Sequence, residues 1–221
     1  MKKIYLLALG LLVAIVAQSN EEFNGYDFET GIEPWTTIDA DGDGYTWHWT
    51  NIQFSTHNES AGCVSSASYI NNVGALTPDN WLVSPQVVLG GTMTFYATAQ
   101  DPNYPNEHFQ VYVSTTGNTE PADFTEVTPE YVIYTGRDYQ LYEVDLSAYS
   151  GQQGYVAIRH FNVTDQFQMN VDDIEFHPAS EGIEMINADD SSLDSKKLLI
   201  DGHLYIISNG KIYTTQGQKV R

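Results

Sequence analysis

The feature that most constrains the fold is a two-residue alternation of apolar and polar side chains in short runs. Phe109, Val111 and Val113 alternate with more polar neighbours, and the run 92–100 repeats the pattern. Successive side chains of a strand point to opposite faces, so this period is typical of half-buried strands. The runs end at Gly, Pro or Asn, and no long apolar period of 3.6 residues follows the N-terminal segment. The sequence therefore predicts an all-β fold, a jelly-roll-type two-sheet β-sandwich.

The N-terminal segment reads as an export signal. Lys2 and Lys3 precede an apolar run from Ile4 to Val16, and Ala17 lies just before a polar stretch. This order of basic, apolar and small residues is typical of a cleaved signal peptide, here residues 1–17. The run is shorter than the roughly 20 apolar residues that cross a bilayer, so we expect no membrane span. No cysteine lies nearby to carry a lipid anchor.

The C-terminal end changes character after the main domain, which we place at residues 18–178. Residues 179–194 include Asp189 and Asp190 and form a polar, acidic linker. Residues 195–221 are more basic and contain short strand-like runs on both sides of the Asn209-Gly210 turn. Because Asn-Gly tolerates positive φ at both turn positions, this segment predicts a small β-hairpin-like tail.

Charge and cysteine content narrow the possible partners. The chain has 29 acidic and 9 basic residues, a formal net charge of −20. Such a field repels nucleic acid and anionic lipid surfaces and favours cations. Cys63 is the single cysteine, so no internal disulfide is possible. A lone cysteine in an apolar run is more often a small buried side chain than a catalytic nucleophile.

An acidic turn, Asp39–Gly44, carries the sharpest local motif. Its aspartates Asp39, Asp41 and Asp43 alternate with small residues and end in a glycine. This spacing lets three carboxylates converge on one hard cation, and calcium prefers such oxygen ligands. The motif is not an EF-hand, because its twelfth position is Thr50 and no helices flank it. The alternative is a solvated Asp-Gly turn without metal.

A second acidic group is expected around Asp172 and Asp173. Neighbouring strand residues face opposite sides, so one of the two must point inward or lie at a bulge. A buried carboxylate needs a partner, and calcium with Glu29 and Asp101 as further ligands is one solution. The other is pairing with Arg159 or with backbone amides.

Two tryptophans form a weaker candidate ligand site. Trp47 and Trp49 lie two residues apart and would share a face of a strand. They could stack on sugar rings, or they could both anchor the core, which is the more common place for tryptophan. Trp81 is expected in the core for the same reason.

Several runs resemble the cleaved adhesin domains, the haemagglutinin/adhesin modules that accompany gingipain proteases. The resemblance covers residues 26–177 and is carried by Phe28-Glu29, Trp35–Gly44, Thr77–Pro85, Glu107–Ser114, Val156–Asn162 and Val171–Ile174. It implies a jelly roll that binds calcium and adheres to host or matrix proteins. The final segment is similar to the C-terminal sorting tails of type IX secretion in Bacteroidetes. That similarity implies contact with secretion machinery and a secreted or cell-surface location on a Gram-negative bacterium.

Catalysis is not expected. The sequence has no nucleophile elbow, phosphate loop or His-Glu zinc motif, and its histidines are scattered. Glu107-His108 is the single adjacent acid–histidine pair, and it begins a predicted strand. We therefore predict a non-catalytic, calcium-binding adhesin module. The alternative is a carbohydrate-binding, lectin-like module that serves an extracellular hydrolase or protease and has a glycan as its partner.

Overall fold

The computed structural model of the chain confirms the all-β prediction. It describes residues 25–52, 55–177, 195–200, 203–208, 211–214 and 218–220. The expected signal peptide and acidic linker lie outside the described residues. Helical structure in the described part is limited to short 3₁₀ turns at His57–Glu59, Pro121–Asp123 and Ser147–Tyr149. No helix in that part is long and apolar enough to span a bilayer.

The described residues form short strands, as the alternation predicts. In chain order they are β1 Gly25–Tyr26, β2 Thr36–Asp39, β3 His48–Thr50, β4 Cys63–Ala67, β5 Tyr69–Ile70, β6 Gly74–Ala75, β7 Asn80–Val83, β8 Val87–Val88, β9 Thr92–Ala99, β10 His108–Ser114, β11 Thr125–Glu126, β12 Tyr131–Val132, β13 Gln140–Asp145, β14 Gln153–His160, β15 Gln168–His177, β16 Ser195–Ile200, β17 His203–Ser208 and β18 Lys211–Thr214.

The strands build two main antiparallel sheets. The six-stranded sheet has the order β13-β9-β15-β4-β3, with β1 also paired to β15. The seven-stranded sheet has the order β11-β10-β14-β7-β2, with β12 on β10 and β8 on β14. Most spatial neighbours are distant in sequence, so the chain repeatedly crosses between the sheets, as expected of a jelly-roll sandwich. A separate hairpin pairs β5 with β6.

The core lies between the two sheets and is supplied by the alternating strands. Met93, Phe95 and Ala97 of β9 are fully buried and pack in one cluster with inward side chains of β10, including Phe109 and Val111. Burial of this apolar area is the main stabilising term of such a sandwich. The strand alternation seen in the sequence therefore corresponds to the faces that the sheets bury.

A second apolar cluster combines Trp81 of β7, Val83, Tyr112 and Ala157. Trp81 is only 2% exposed, which confirms that it is a buried residue. Its ring contacts that of Tyr112 at a centroid distance of 4.6 Å. The guanidinium carbon of Arg159 lies 5.0 Å from the Trp81 ring centroid, a cation–π arrangement.

The pairing of β15 is interrupted by a β-bulge at the two adjacent aspartates. Asp172 is paired with Tyr96 of β9, but Glu175 is paired with Thr94, so β15 carries one extra residue. Asp173 has a positive φ of 47° within this bulge. The first half of β15 pairs with β4 and its second half with β1. The sequence predicts an inward-facing carboxylate or a bulge at this acidic pair, and the structure has both, because Asp172 is fully buried and the bulge lies at Asp173.

The C-terminal strands β16, β17 and β18 form a three-stranded antiparallel sheet. The predicted hairpin corresponds to its second half, in which Tyr205 pairs with Thr214 and Ser208 with Lys211. The sheet gains a third strand because β16 pairs with β17 along its full length. Within the described part of the chain, these strands pair with one another and, through a bridge between Tyr213 and Lys219, with the end of the chain.

Candidate functional site

The acidic turn brings its three aspartates together. One ligand oxygen from each of Asp39, Asp41 and Asp43 lies within 4.8 Å of the others. Among the described residues, no other set of three acidic, histidine or cysteine side chains converges in this way. Glycines with φ of 75° and 84° at Gly42 and Gly44 allow the chain to turn between the aspartates.

The carboxylates of the turn also organise its backbone. Asp39 accepts hydrogen bonds from the Gly42 and Gly44 N–H groups at 2.9 Å each. Asp41 accepts from the Asp43 N–H at 3.0 Å, and Asp43 accepts from the Tyr45 N–H at 2.8 Å. These bonds hold the three side chains on the same side of the turn, so the turn is shaped before any cation binds.

Asp79 joins the acidic turn to the seven-stranded sheet. Its backbone N–H donates to Asp41 at 2.6 Å, and its carbonyl accepts from the Ala40 N–H at 3.0 Å. Its carboxylate forms a two-point ion pair with Arg159, with both N···O distances 2.7 Å. Two parallel charge-assisted bonds fix both partners in one orientation. One sequence alternative paired Arg159 with Asp172 or Asp173. In the structure, Arg159 pairs with Asp79 instead.

Electrostatics in the turn favour a cation. Partial burial raises the pKa of Asp41, and the neighbouring carboxylates of Asp43 and Asp39 raise it further, although two backbone hydrogen bonds lower it. Like charges held this close disfavour simultaneous ionisation. A divalent cation would remove that repulsion because it neutralises the carboxylates directly.

The acidic pair Asp172 and Asp173 at the β15 bulge, here called the bulge group, lies against a different loop, residues 57–61. The fully buried Asp172 accepts hydrogen bonds from the His57 N–H and the Ser60 hydroxyl, both at 2.9 Å. Glu29 accepts from the Ala61 N–H of the same loop at 3.0 Å. The structure therefore brings Glu29 and Asp172 to one loop. A backbone amide and a hydroxyl therefore donate to Asp172 within this loop.

His57 adds an imidazole to the bulge group. Its Nδ1 lies 2.7 Å from an Asp173 carboxylate oxygen, and its ring stacks on Tyr96 at 3.9 Å. Burial raises the pKa of Asp172 to about 6, with the Asp173 charge contributing in the same direction. No sequence pattern singles out His57, because its partner Asp173 is more than a hundred residues away in the chain.

Asp101, proposed as a further ligand of the bulge group, lies elsewhere. It follows the end of β9 beyond Ala99, whereas Asp172 pairs with Tyr96 in the middle of that strand. The Asp101 Oδ1 accepts hydrogen bonds from the N–H and the side-chain amide of Asn103 at 2.8 and 3.1 Å. Asp101 thus does not join the bulge group, because it lies beyond the end of β9 and Asp172 faces the middle of that strand.

The two tryptophans do not form a stacking ridge. Trp47 is 2% exposed, donates its indole N–H to the Asn80 carbonyl at 3.0 Å and meets His160 edge-on. Trp49 packs against the core and donates to the Phe28 carbonyl at 2.7 Å. Trp47 thus lies in the core, as the second alternative expects, whereas Trp49 is half-buried, so the two rings do not form one exposed platform. Burying the ring faces stabilises the sandwich more than exposing them would.

A buried polar chain, which the sequence analysis did not predict, links β4, β14 and the residue before β10. His160 contacts the Ser66 hydroxyl through Nδ1 at 2.8 Å and the Glu107 carboxylate through Nε2 at 2.9 Å. This order resembles a hydrolase triad, yet all three side chains are fully buried. Substrate cannot reach the serine, so the chain serves as internal support. Glu107 thus pairs with His160, and its neighbour His108 pairs with Glu130 instead.

The two main antiparallel sheets and the acidic turn place the chain in the class of β-sandwich modules. A family model described as the Cleaved Adhesin Domain matches residues 21–176. The chain therefore belongs to the cleaved adhesin family, as its sequence motifs suggested.

Solved structures support the assignment. The K1 cleaved adhesin domain of Lys-gingipain from Porphyromonas gingivalis W83 aligns with a TM-score of 0.64 and 39% identity, over 70% of this chain and 97% of that domain. The K3 domain of the same protein aligns with a TM-score of 0.64 and 42% identity, over 72% of this chain and 99% of that domain.

Full-length relatives are much longer than this chain. Haemagglutinin A of P. gingivalis is 46% identical over 168 residues, which is 67% of this chain and 8% of that protein. Lys-gingipain W83 is 44% identical over 178 residues, which is 72% of this chain and 10% of that protein. The chain thus spans about a tenth of these relatives, and the likeness concerns an adhesin-like module.

Proposed function

We propose that this chain is an exported, calcium-binding adhesion module without catalytic activity. The observation that carries the calcium part is the convergence of Asp39, Asp41 and Asp43 within 4.8 Å. Oxygen donors without histidine or cysteine suit calcium better than zinc. The turn therefore has the donor chemistry of a calcium ligand set.

The remaining ligands of such an ion would be carbonyl oxygens and water. Calcium takes six to eight oxygen ligands, and three carboxylates supply part of that number. The N–H bonds that the carboxylates accept leave further lone pairs, because each carboxylate oxygen has two. When bound, calcium would offset two of the three carboxylate charges of the turn and strengthen the connection of β2 to the start of β7 through Asp79.

Glu29, Asp172 and Asp173 are proposed as part of a second calcium site. Support comes from the shared loop 57–61, which contacts Glu29 and Asp172 through its backbone and Ser60. A buried carboxylate with a raised pKa gains stability from a cation. The competing explanation is that these amide and hydroxyl donors alone stabilise the group.

A calcium titration tests the acidic turn. We expect calcium to raise the melting midpoint, because a ligand at 100 times its Kd adds about 2.7 kcal/mol to native-state stability. Asp41→Asn should lose most of this increase, since it removes one charged ligand. Asp138→Asn is the matched control, because Asp138 is exposed and lies outside the turn. A midpoint that is the same in calcium and in chelator contradicts the proposal.

The adhesive partner is proposed to be a host or matrix protein. Support comes from relatives named haemagglutinin and from the solved adhesin domains of Lys-gingipain. Binding of the purified protein to immobilised fibronectin, fibrinogen and haemoglobin, with calcium or with chelator, provides the test. Binding no stronger than to albumin would contradict adhesion to these proteins.

Export is part of the same proposal. The segment 1–17 would direct secretion, and the tail 195–221 would engage a type IX sorting apparatus, giving a secreted or cell-surface location. The support is the sequence pattern of both segments and the family to which the domain belongs.

A glycan is the second candidate partner. The observation in its favour is a cleft at one end of the sandwich that exposes aromatic rings among amides and carboxylates. This cleft is distinct from the acidic turn and from the tryptophan pair.

A further inference from the structure

A cleft of about 410 Å³ opens at the end of the sandwich where three loops meet. It lies between the β5–β6 hairpin, the loop after β9 and the loop before β15. Its lining residues are Tyr69, Asn71, Asp101, Tyr104, Asp165, Gln166 and Phe167. Asp101, which the sequence suggests as a further ligand beside Asp172 and Asp173, therefore lines this cleft.

The cleft combines aromatic surfaces with unused polar groups. Tyr104 is 53% exposed, so its ring is open to contact with a ligand. The carboxylate of Asp165 and the amide of Asn71 make no hydrogen bond to any described residue, so both are free to bind a ligand. Asp101 uses one oxygen for Asn103 and retains the other.

Gln166 and Phe167, which form one wall of the cleft, are fixed by backbone hydrogen bonds to the buried side chains of Ser68 and Glu107. Glu107 accepts hydrogen bonds from the Phe167 N–H at 2.9 Å and from the Ser68 hydroxyl at 3.0 Å. Ser68 in turn accepts from the Gln166 N–H at 3.2 Å. Because His160 fixes Glu107 at 2.9 Å, the wall is connected to the sandwich interior. Such support pre-organises a binding surface and reduces the entropy lost on binding.

We propose that this cleft binds a neutral saccharide. Aromatic rings bind the C–H faces of a sugar ring, while carboxylates and amides bind its hydroxyls. Hydroxyl groups donate and accept at once, so they use both the Asp101 and Asp165 acceptors and the Asn71 and Gln166 amides. This inference rests on the proposed adhesive function and specifies a ligand class for it.

Two other ligand classes fit the cleft less well. Acidic sugars would meet two carboxylates and no lysine or arginine among the lining residues. The nearby Arg137 bonds to the Gln100 carbonyl, outside the lining. A cationic side chain would suit the carboxylates but would leave the Asn71 amide donors without a partner, whereas the Gln166 amide already donates to the Asp165 carbonyl at 3.4 Å.

Calorimetric titration of the purified protein in calcium tests the proposal. The probes are lactose, N-acetyllactosamine and maltotriose, with sialyllactose as the acidic probe and a tri-lysine peptide as the cationic one. We expect at least one neutral probe to bind. Tyr104→Ala should weaken that binding about tenfold, as expected for loss of an aromatic anchor. Asp165→Asn should weaken it as well, since the amide replaces one acceptor.

Tyr134→Ala is the matched control, because Tyr134 is 75% exposed and lies outside the cleft. Equal weakening by Tyr104→Ala and Tyr134→Ala, with unchanged melting curves, would overturn the assignment of the cleft. So would tri-lysine binding that depends on Tyr104. If no neutral probe binds while the protein still adheres to fibronectin or fibrinogen, the saccharide inference fails and the adhesive function survives.

Discussion

At the residue scale, burial decides what each reactive side chain can do. Cys63 is fully buried, donates its thiol to the Ser55 carbonyl and lies near the Asp172 charge. Burial, reinforced by that charge, raises the pKa of the Cys63 thiol to about 12. Since the thiolate is the reactive form, the folded protein should hold an inert thiol.

We therefore expect Cys63 in the native protein to resist thiol reagents at about pH 8, well below its raised pKa. After unfolding in denaturant, the thiol is exposed, its pKa returns towards the ordinary value and it should react fully. A colorimetric thiol assay before and after denaturation measures this. Rapid labelling of the native protein would mean that the strand β4 opens readily.

Gly62 shows a second effect at this scale, close packing of backbone and ring. A Cβ at this position would lie 2.3 Å from Trp49 Nε1 and 2.7 Å from the Phe28 carbonyl oxygen. Gly62→Ala should therefore destabilise the fold by roughly 1–3 kcal/mol, a typical cost of overpacking. Urea unfolding with a fixed slope measures the difference. Wild-type stability would show that Trp49 can move without cost.

At the element scale, two acidic groups lie on different sheets. The acidic turn follows β2 in the seven-stranded sheet, whereas the bulge belongs to β15 in the six-stranded sheet. They also contact different segments, Asp79 in one case and the loop 57–61 in the other. Distant groups with no shared partner act independently.

If both groups bind calcium, Asp41→Ala and Asp173→Ala should each remove about one bound ion per chain, and the double variant about two. The stoichiometry of calorimetric calcium titrations gives the count, and circular dichroism spectra check that each variant is folded. A single ion lost in all three variants would mean that the two groups form one site.

At the scale of the whole molecule, the sandwich and the C-terminal sheet are separately paired. Apart from the β5–β6 hairpin, the strands β1 to β15 build the two main sheets, and β16 to β18 pair with one another in the described part of the chain. The proposed calcium ligands and the saccharide cleft all lie before residue 178. The tail is thus expected to serve location and not folding.

Truncation after Pro178 should leave thermal melting and calcium binding nearly unchanged, because no main-sheet strand is removed. In a host with type IX secretion, the same truncation should retain the protein in the periplasm. Melting curves and cell fractionation measure the two effects. Unfolding of the truncated domain would show that the tail contributes to the sandwich, and normal export would contradict the sorting proposal.

The sequence by itself determined the local features. The alternation around Phe109 predicted strands, and the spacing of Asp39, Asp41 and Asp43 predicted a carboxylate cluster. The adjacent acids Asp172 and Asp173 predicted either an inward-facing carboxylate or a bulge. Each prediction concerns residues close in sequence, where strand period and turn chemistry act directly. The same patterns resemble one family, which the comparisons confirm.

Tertiary structure alone decided which distant residues meet. It buries Trp47 and places Asp101 in the cleft beside Tyr104, away from Asp172. It also pairs Glu107 with His160, 53 residues away, and not with the adjacent His108. Strand order and register set these contacts, and they depend on how all the apolar faces pack together. A local pattern gives the period of a strand but not its neighbours, so the cleft and the buried network could be found only in the folded molecule.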